Sequence, residues 1–367
     1  LEANGNEKVT KSMRFIFLLL ICCLCSNFVL AQNDPNEVEE DYSIYENLVF
    51  SDTSAKRFCT PKVFDLSPAK LIWLGYDFQG PFHVDYGKSP SDSSTNNSGQ
   101  FNSTRGSRIG LNIPIISRTN FVWQMGCNHN RTEFTGSESV PYSLDSTLRE
   151  NGLTTFGLNT TLFKPLDAQR FFLAQASADL SGDFRFQNIT PSKYIRYSAA
   201  LIYGKKPHDR CMIGFGISRT YRVGELNFIP VFLLNWTSPS RKWGIEMLAP
   251  ARAHVRKTLS ARNILLFGYE LEGNSYRILR NRDINPLGYE LRRGELRFRA
   301  VWETSMYSFI WMSVQAGYRV GYSFNVDDFG SNDREFFRGF FGNQPYFQEN
   351  KYAGSWYAQL SINLVSP

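Results

Sequence analysis

Past residue 31 the chain has no apolar run of about eighteen residues, which excludes a transmembrane helix in that region. Charge is also scarce. Charged residues make up 20 % of the 367, against the roughly 25 % of ordinary soluble domains. There are four histidines, His83, His129, His208 and His254, and the residues two places further on are Asp85, Arg131, Arg210 and Arg256. None is serine, so the local His-x-Ser pairing of a membrane-embedded lipid hydrolase is missing, although a triad can assemble from distant positions. No P-loop, dinucleotide fingerprint or metal-ligand spacing occurs, so no cofactor is expected. A basic helix is also missing, which argues against a nucleic-acid partner.

Cysteine is sparse where it would count. Of the six, Cys22, Cys23 and Cys25 fall in the N-terminal leader described below, and Cys59, Cys127 and Cys211 remain. An odd number without paired spacing indicates no disulfide framework. Residues 1–12 precede the first methionine and read as an upstream artefact. Residues 13–31 read as a signal peptide: Arg14 supplies the charge, Phe15–Leu24 the apolar stretch, and Val29-Leu30-Ala31 a small-residue cut after Ala31. A lipidated cysteine is disfavoured, since Ile21 precedes Cys22 and Cys22 precedes Cys23. Removing residues 1–31 takes the formal charge from +6 to +5, an excess too mild to imply a polyanionic partner.

Aromatic residues are abundant instead, at 15 %, with Phe 30 and Tyr 18. They fall within stretches that alternate. Leu265, Phe267, Tyr269 and Leu271 oppose Leu266, Gly268, Glu270, Glu272 and Asn274. The same period of two sets Ile213, Phe215 and Ile217 against Gly214, Gly216 and Ser218. It also sets Leu296, Phe298, Ala300 and Trp302 against Glu295, Arg297, Arg299 and Glu303. Near the end of the chain, Trp356, Ala358, Leu360, Ile362 and Leu364 oppose Tyr357, Gln359, Ser361 and Asn363. Successive strand side chains point to opposite faces, so these are strands with one greasy and one polar face. A membrane barrel hides from hydropathy scans because only alternate residues meet lipid, which reconciles a mean hydropathy of −0.31 with a membrane location.

The expected fold is all-β: a transmembrane antiparallel up-and-down β-barrel over residues 68–367, with about twelve strands in a range of ten to fourteen. Residues 32–67, opening on the acidic tract Asp34–Asp41, are expected to form a periplasmic extension, mobile or packed under the barrel. Gly87–Gly106, Glu133–Asn151 and Ser323–Gly354 read as long loops, while Ser117–Thr119, Lys164–Ala168, Gly204–His208 and Thr237–Arg241 read as short turns. Short turns on one side and long loops on the other match an outer-membrane barrel. The segment from Lys242 to Arg256 decides the count. As one strand it breaks the even parity, and splitting it at Pro250 leaves pieces shorter than the ~9–11 residues of a spanning strand. Leaving it out gives twelve. Aromatics near strand ends, among them Tyr76, Tyr203, Tyr322 and Trp356, suit interfacial girdles.

Glu270, Glu272, Glu295, Arg297, Arg299, Glu303 and Arg319 share the polar face and are the candidate lumen-lining residues. A salt-bridged network stiffening a narrow barrel and a charged constriction selecting solutes are both readings of that set. Three stretches, LGYDFQG (Leu74–Gly80), GLNIPIISR (Gly110–Arg118) and KTLSARNILLFGYELEGNSYRI (Lys257–Ile278), resemble a family of Gram-negative outer-membrane β-barrels grouped as a domain of unknown function. The resemblance covers about residues 65–365 and implies location and architecture, with no catalytic residues to carry over. One departure is the terminus, Asn363-Leu364-Val365-Ser366-Pro367, where such chains commonly end on an aromatic that the barrel-assembly machinery reads.

The expected role is passive passage or binding of a small solute or hydrophobic molecule through a narrow charged lumen, in contact with outer-membrane lipid. A structural or surface-interaction barrel using loops near 87–105, 134–150 and 323–353 is the alternative. An outer-membrane lipid-modifying enzyme is the third reading.

Overall fold

The computed structural model describes residues 58–87, 97–136, 144–184, 195–221, 227–278, 288–328 and 346–366. The proposed leader and most of the N-terminal extension, together with the loop stretches 88–96, 137–143 and 329–345, lie outside them.

Sixteen strands follow in order: β1 Lys70–Gln79, β2 Phe82–Tyr86, β3 Asn97–Arg118, β4 Phe121–Gly136, β5 Leu153–Pro165, β6 Arg170–Gly182, β7 Ile195–His208, β8 Cys211–Thr220, β9 Asn227–Thr237, β10 Trp243–Ala249, β11 Arg252–Ser260, β12 Asn263–Ile278, β13 Tyr289–Tyr307, β14 Ile310–Asp328, β15 Asn350–Tyr352 and β16 Ser355–Val365. A helix, α1 (Leu144–Asn151), lies between β4 and β5. Each strand from β3 to β14 pairs antiparallel with the next, β14 pairs with β16, β16 with β1, and β1 with β3, which closes the ring. The short strands β2 and β15 extend the sheet at one end and are not part of the ring. The closed barrel therefore has 14 strands.

That count corrects the expected twelve. Lys242–Arg256 is neither omitted nor a single strand: it holds β10 and most of β11, joined at Pro250-Ala251. With 7 and 9 residues they fall at or below the expected spanning length, because the wall is low at this point. Further expectations change: Gly204–His208, read as a short turn, is the end of β7, and Ser323–Gly354, read as a long loop, holds the end of β14 and all of β15. Residues 97–106, read as loop, are strand, because β3 runs above the ring to pair with β2 and the upper end of β4. The connection from Glu133 to Asn151 contains α1. That helix carries Asp145 in its first turn and Arg149 in its last, matching the helix dipole. It ends at Gly152, whose φ of +68 suits glycine and whose N–H caps the Leu148 carbonyl at 2.9 Å.

Both ends of the ring strands β1 and β16 that lead to the chain termini, Lys70 and Val365, lie at the end carrying the tight connections at Arg118–Phe121, Pro165–Arg170, His208–Cys211, Ser260–Asn263 and Tyr307–Ile310. We call this the turn end, and the opposite one the loop end. Alternation sends Leu74, Tyr76, Phe215, Ile217, Phe298, Trp356 and Ile362 outward, where all are exposed. A contiguous apolar outer surface of this extent is what a bilayer accommodates and water does not. Their neighbours Asp77, Glu295, Arg297 and Asn363 point inward and are buried.

The loop end is closed by an apolar core of Phe82, Val84, Phe101, Phe134, Leu144, Leu148, Phe324 and Tyr352. Phe82 stacks on Phe101 at 5.1 Å and meets Tyr352 edge-on at 5.0 Å. At the turn end, residues 58–69 form a strap across the mouth. Cys59 N–H donates to the Asp167 carbonyl at 3.0 Å and Phe64 N–H to that of Asp209 at 3.0 Å. The Ser67 N–H and hydroxyl both donate to Glu246 Oε1 at 3.0 Å. Residues 58–67 thus pack against the turn end of the barrel.

Candidate functional site, the filled lumen and its chamber

The inner face is a continuous ion-pair network on the β11–β14, β1 and β3 side. Arg108 on β3 grips Glu272 on β12 through two nitrogens, at 2.8 and 3.2 Å, and reaches Asp77 on β1 with Nε at 3.2 Å. Planar two-point contacts of this kind are the strong form of the Arg–carboxylate pair. Arg297 bonds the other side of Glu272 and meets Glu295 at 3.1 Å. Arg293 also meets Glu295, at 3.1 Å. Arg319 donates to Asp77 at 2.7 Å and to Gln79 at 3.0 Å, and its guanidinium lies 4.4 Å from the Tyr357 ring centre. Arg299 pairs with Glu270 and donates to His254 Nε2 at 3.0 Å, so His254 accepts there.

Six of the seven expected residues are in this network. The seventh, Glu303, stands apart towards the turn end, held by Lys70 at 2.7 Å and by the Ser313 hydroxyl at 3.1 Å. Sequence reasoning passed over Asp77, Gln79, Arg108, Arg293 and His254, although inward parity on their own strands marks Asp77 and Gln79. The long range of the pairings hid them. Buried charges on both sides of such pairs cost several kcal/mol each to desolvate, about what the mutual attraction returns, so the network specifies an arrangement more than it adds stability. Asp77, Arg293, Glu295, Arg297 and Arg319 are buried, while Arg108, Glu270, Glu272 and Arg299 are half-buried, so the network occupies this side of the lumen.

Towards the turn end, on the β4–β11 side, the filling stops. A cavity of about 300 Å³ is lined by Val122, Phe163, Phe171, Leu173, Met212 and Leu233, with Gln124, Thr161, Gln175 and Asn235 interspersed. Pro61, Leu66 and Ser67 of the strap line its floor, and Leu248 and Arg252 its edge at the β10–β11 hairpin. This is the composition of a small-molecule pocket: mostly apolar, with a few polar groups that are amides or hydroxyls. Its one carboxylate, Glu246, is occupied by Arg256 at 3.1 Å and by Ser67.

The strap is held at the turn end of the wall, by Lys206 near the end of β7 and by the β5–β6 connection. Lys206 Nζ donates to Thr60 Oγ1 at 2.9 Å and to the Lys62 carbonyl at 2.7 Å. Asp167 accepts from the backbone N–H groups of Gln169 at 2.8 Å and Arg170 at 2.7 Å, which holds its carboxyl down to about 2. Burial pushes the Cys59 thiol above its ordinary value. Cys59, Cys127 and Cys211 are all free thiols. Of the histidines, His83 sits beside Asp85 at 3.0 Å near the loop end, and His254 is engaged by Arg299.

No protein-family model matches the chain, and no curated protein matches its sequence. Among solved structures, the chain is similar to an outer-membrane channel from Pseudomonas putida F1, at 9 % identity over 84 % of this chain and 99 % of that one, with a TM-score of 0.38. It is similar to the toluene transporter TodX of Pseudomonas putida at 10 % identity, covering 81 % and 90 % of the two chains, TM-score 0.33. LpxR from Salmonella typhimurium matches at 9 % identity over 80 % of this chain and 100 % of the other, TM-score 0.32.

Proposed function

We propose that this chain is an outer-membrane β-barrel that binds a small hydrophobic molecule in its chamber and passes it across the membrane, with the turn end facing the periplasm. The apolar outer surface supports the membrane location, and the even strand number returns both ends of the barrel to one side, as in bacterial outer-membrane barrels. The chamber is the observation that carries the reading. There, among the described residues, apolar side chains surround a cavity of about 300 Å³, in contrast to the interlocked charge of the opposite side. A charged constriction selecting water-borne solutes would need free charges on an open path, whereas the arginines and carboxylates described above are committed to one another.

The test is titration of the refolded barrel with N-phenyl-1-naphthylamine, a neutral fluorophore that brightens in apolar sites. Saturable binding that weakens in Leu233→Gln, with heat-modifiable gel mobility retained, is the expected result. Purely linear, non-saturable partitioning would overturn the chamber as a site. Conductance in planar bilayers should be low, because strap and network both obstruct the lumen. A large steady conductance would favour a solute pore instead.

A further inference from the structure

Among the described residues, the ladder of hydrogen bonds around the barrel is interrupted between β9 and β12. β9 pairs with β10 only from Phe232 to Thr237, so Asn227–Val231 extend past the end of β10. β12 pairs with β11 from Asn263 to Glu270, the Leu271 N–H reaches the Ala251 carbonyl at 2.8 Å, and β12 then runs on to Ile278 without a β11 partner. Further up, β12 stays paired with β13 and also meets β6, where Arg277 is paired with Gly182 and the Asp183 N–H donates to the Arg277 carbonyl at 3.1 Å. Among the described residues, the wall therefore has a notch. Its sill is the β10–β11 turn, and its sides are the upper parts of β9 and β12. Pro230 lies on the β9 side, where a strand with a single neighbour tolerates a residue lacking an N–H.

Three features converge on the notch. The chamber reaches it from inside, since Leu248 and Arg252, at the top of the hairpin, line both the cavity and the sill. From outside it is flanked by an apolar groove of about 570 Å³ formed by Phe172, Leu201, Tyr203, Phe215, Phe228 and Pro230, on the outer face of β6–β9. The third feature is Arg252 itself. Its side chain is exposed and, among the described residues, makes no direct hydrogen bond or ion pair. Glu270 stands opposite it in the ladder and feels its charge, but that carboxylate is bound by Arg299. An inward-facing guanidinium that no carboxylate binds directly, at the rim of an apolar chamber, is unlike the other lumen arginines described above, which are bound to carboxylates.

Resting on the chamber reading above, we propose that the notch is the binding site of a single-chain anionic amphiphile. Arg252 receives the carboxylate head, and the hydrocarbon lies in the chamber below. Shape and charge both argue for that occupant. The groove is apolar enough to hold a chain on the lipid side, the cavity has room for a short one, and the Arg252 guanidinium lines the edge of that cavity. A planar guanidinium matches a carboxylate with two parallel hydrogen bonds.

The experiment is calorimetric titration of octanoate and of octan-1-ol into the full-length barrel at neutral pH, for the native protein, Arg252→Gln and Arg252→Lys. Octanoate should bind the native protein and lose about tenfold in Arg252→Gln, the scale of one charge-assisted contact. Arg252→Lys should recover part of that loss, and octan-1-ol should bind all three alike. Equal octanoate affinity in native protein and Arg252→Gln would overturn the site while leaving the chamber reading intact, provided octan-1-ol still binds. Binding of neither ligand to a heat-modifiable native barrel would overturn both.

Discussion

Arg319 and Asp77 are 242 residues apart in the chain and 2.7 Å apart inside the barrel. The strands that carry them, β14 and β1, are not neighbours. β16 lies between and pairs with both, placing Ser355 beside Arg319 and Gln359 beside Asp77. Asp77 also takes Arg108 from the strand on its other side. This contact therefore exists only once the first and last strands have met, and it reports closure of the ring.

Asp77→Ala should thus be costly, since it leaves the buried Arg319 and the half-buried Arg108 each short of a partner. The expected loss is about 3–5 kcal/mol, the range for breaking one side of a buried pair. Adding Arg319→Ala should cost less than the sum of the single changes. Urea-induced unfolding in lipid vesicles measures all three, and additive losses would show that the two residues do not act together.

The strap predicts a protected thiol. Cys59 is buried and its Sγ donates to the Arg170 carbonyl at 3.4 Å, so a maleimide should modify it slowly in the folded protein. Lys206→Ala removes both side-chain bonds that hold Thr60 and Lys62. It should speed Cys59 labelling and raise bilayer conductance while leaving gel mobility unchanged. Unaltered labelling would mean that the backbone bonds alone seat the strap.

Asp167 predicts an acid dependence. Its carboxyl titrates at about 2 in the folded protein, below the ordinary 3.8. A depressed folded value adds stability that is present above the unfolded pKa and lost as pH falls towards the folded one. The stability gap between native protein and Asp167→Asn should therefore be full above about pH 4–5 and close as pH falls towards 2. Urea midpoints measured across that window test it, and a gap independent of pH would assign the effect to something other than ionisation.

Gly110 is opposite Trp73 in the β1–β3 ladder, and a Cβ there would overlap the indole ring. Gly110→Val should cost about 1–3 kcal/mol through overpacking. Pairing it with Trp73→Ala should return part of that loss. The same urea assay applies, and no recovery would locate the damage in the backbone.

The amino-acid sequence by itself determined which way each strand faces. A period of two is a local property, so the outward Phe267, Phe298 and Trp356 and the inward Glu272, Arg297 and Gln359 could all be read without knowing any neighbour. It also indicated an all-β architecture, because so many half-polar strands must return their backbone groups to one another, while closure of the sheet is seen only in the pairing of β1 with β16 and β3. The strand number was decided only by the tertiary structure. Seven residues on β10 fall short of the ordinary spanning length and nine on β11 only reach its lower limit, and they count as wall because β9 and β12 pair with them on either side. Partner choice within the lumen was likewise out of reach, since Asp77 and Arg108 are brought to Arg319 and Glu272 by ring closure and not by spacing. The chamber and its notch are of the same kind. They exist where strands end at different heights, and the height of one strand against another is set by register, which a single chain read in order does not contain.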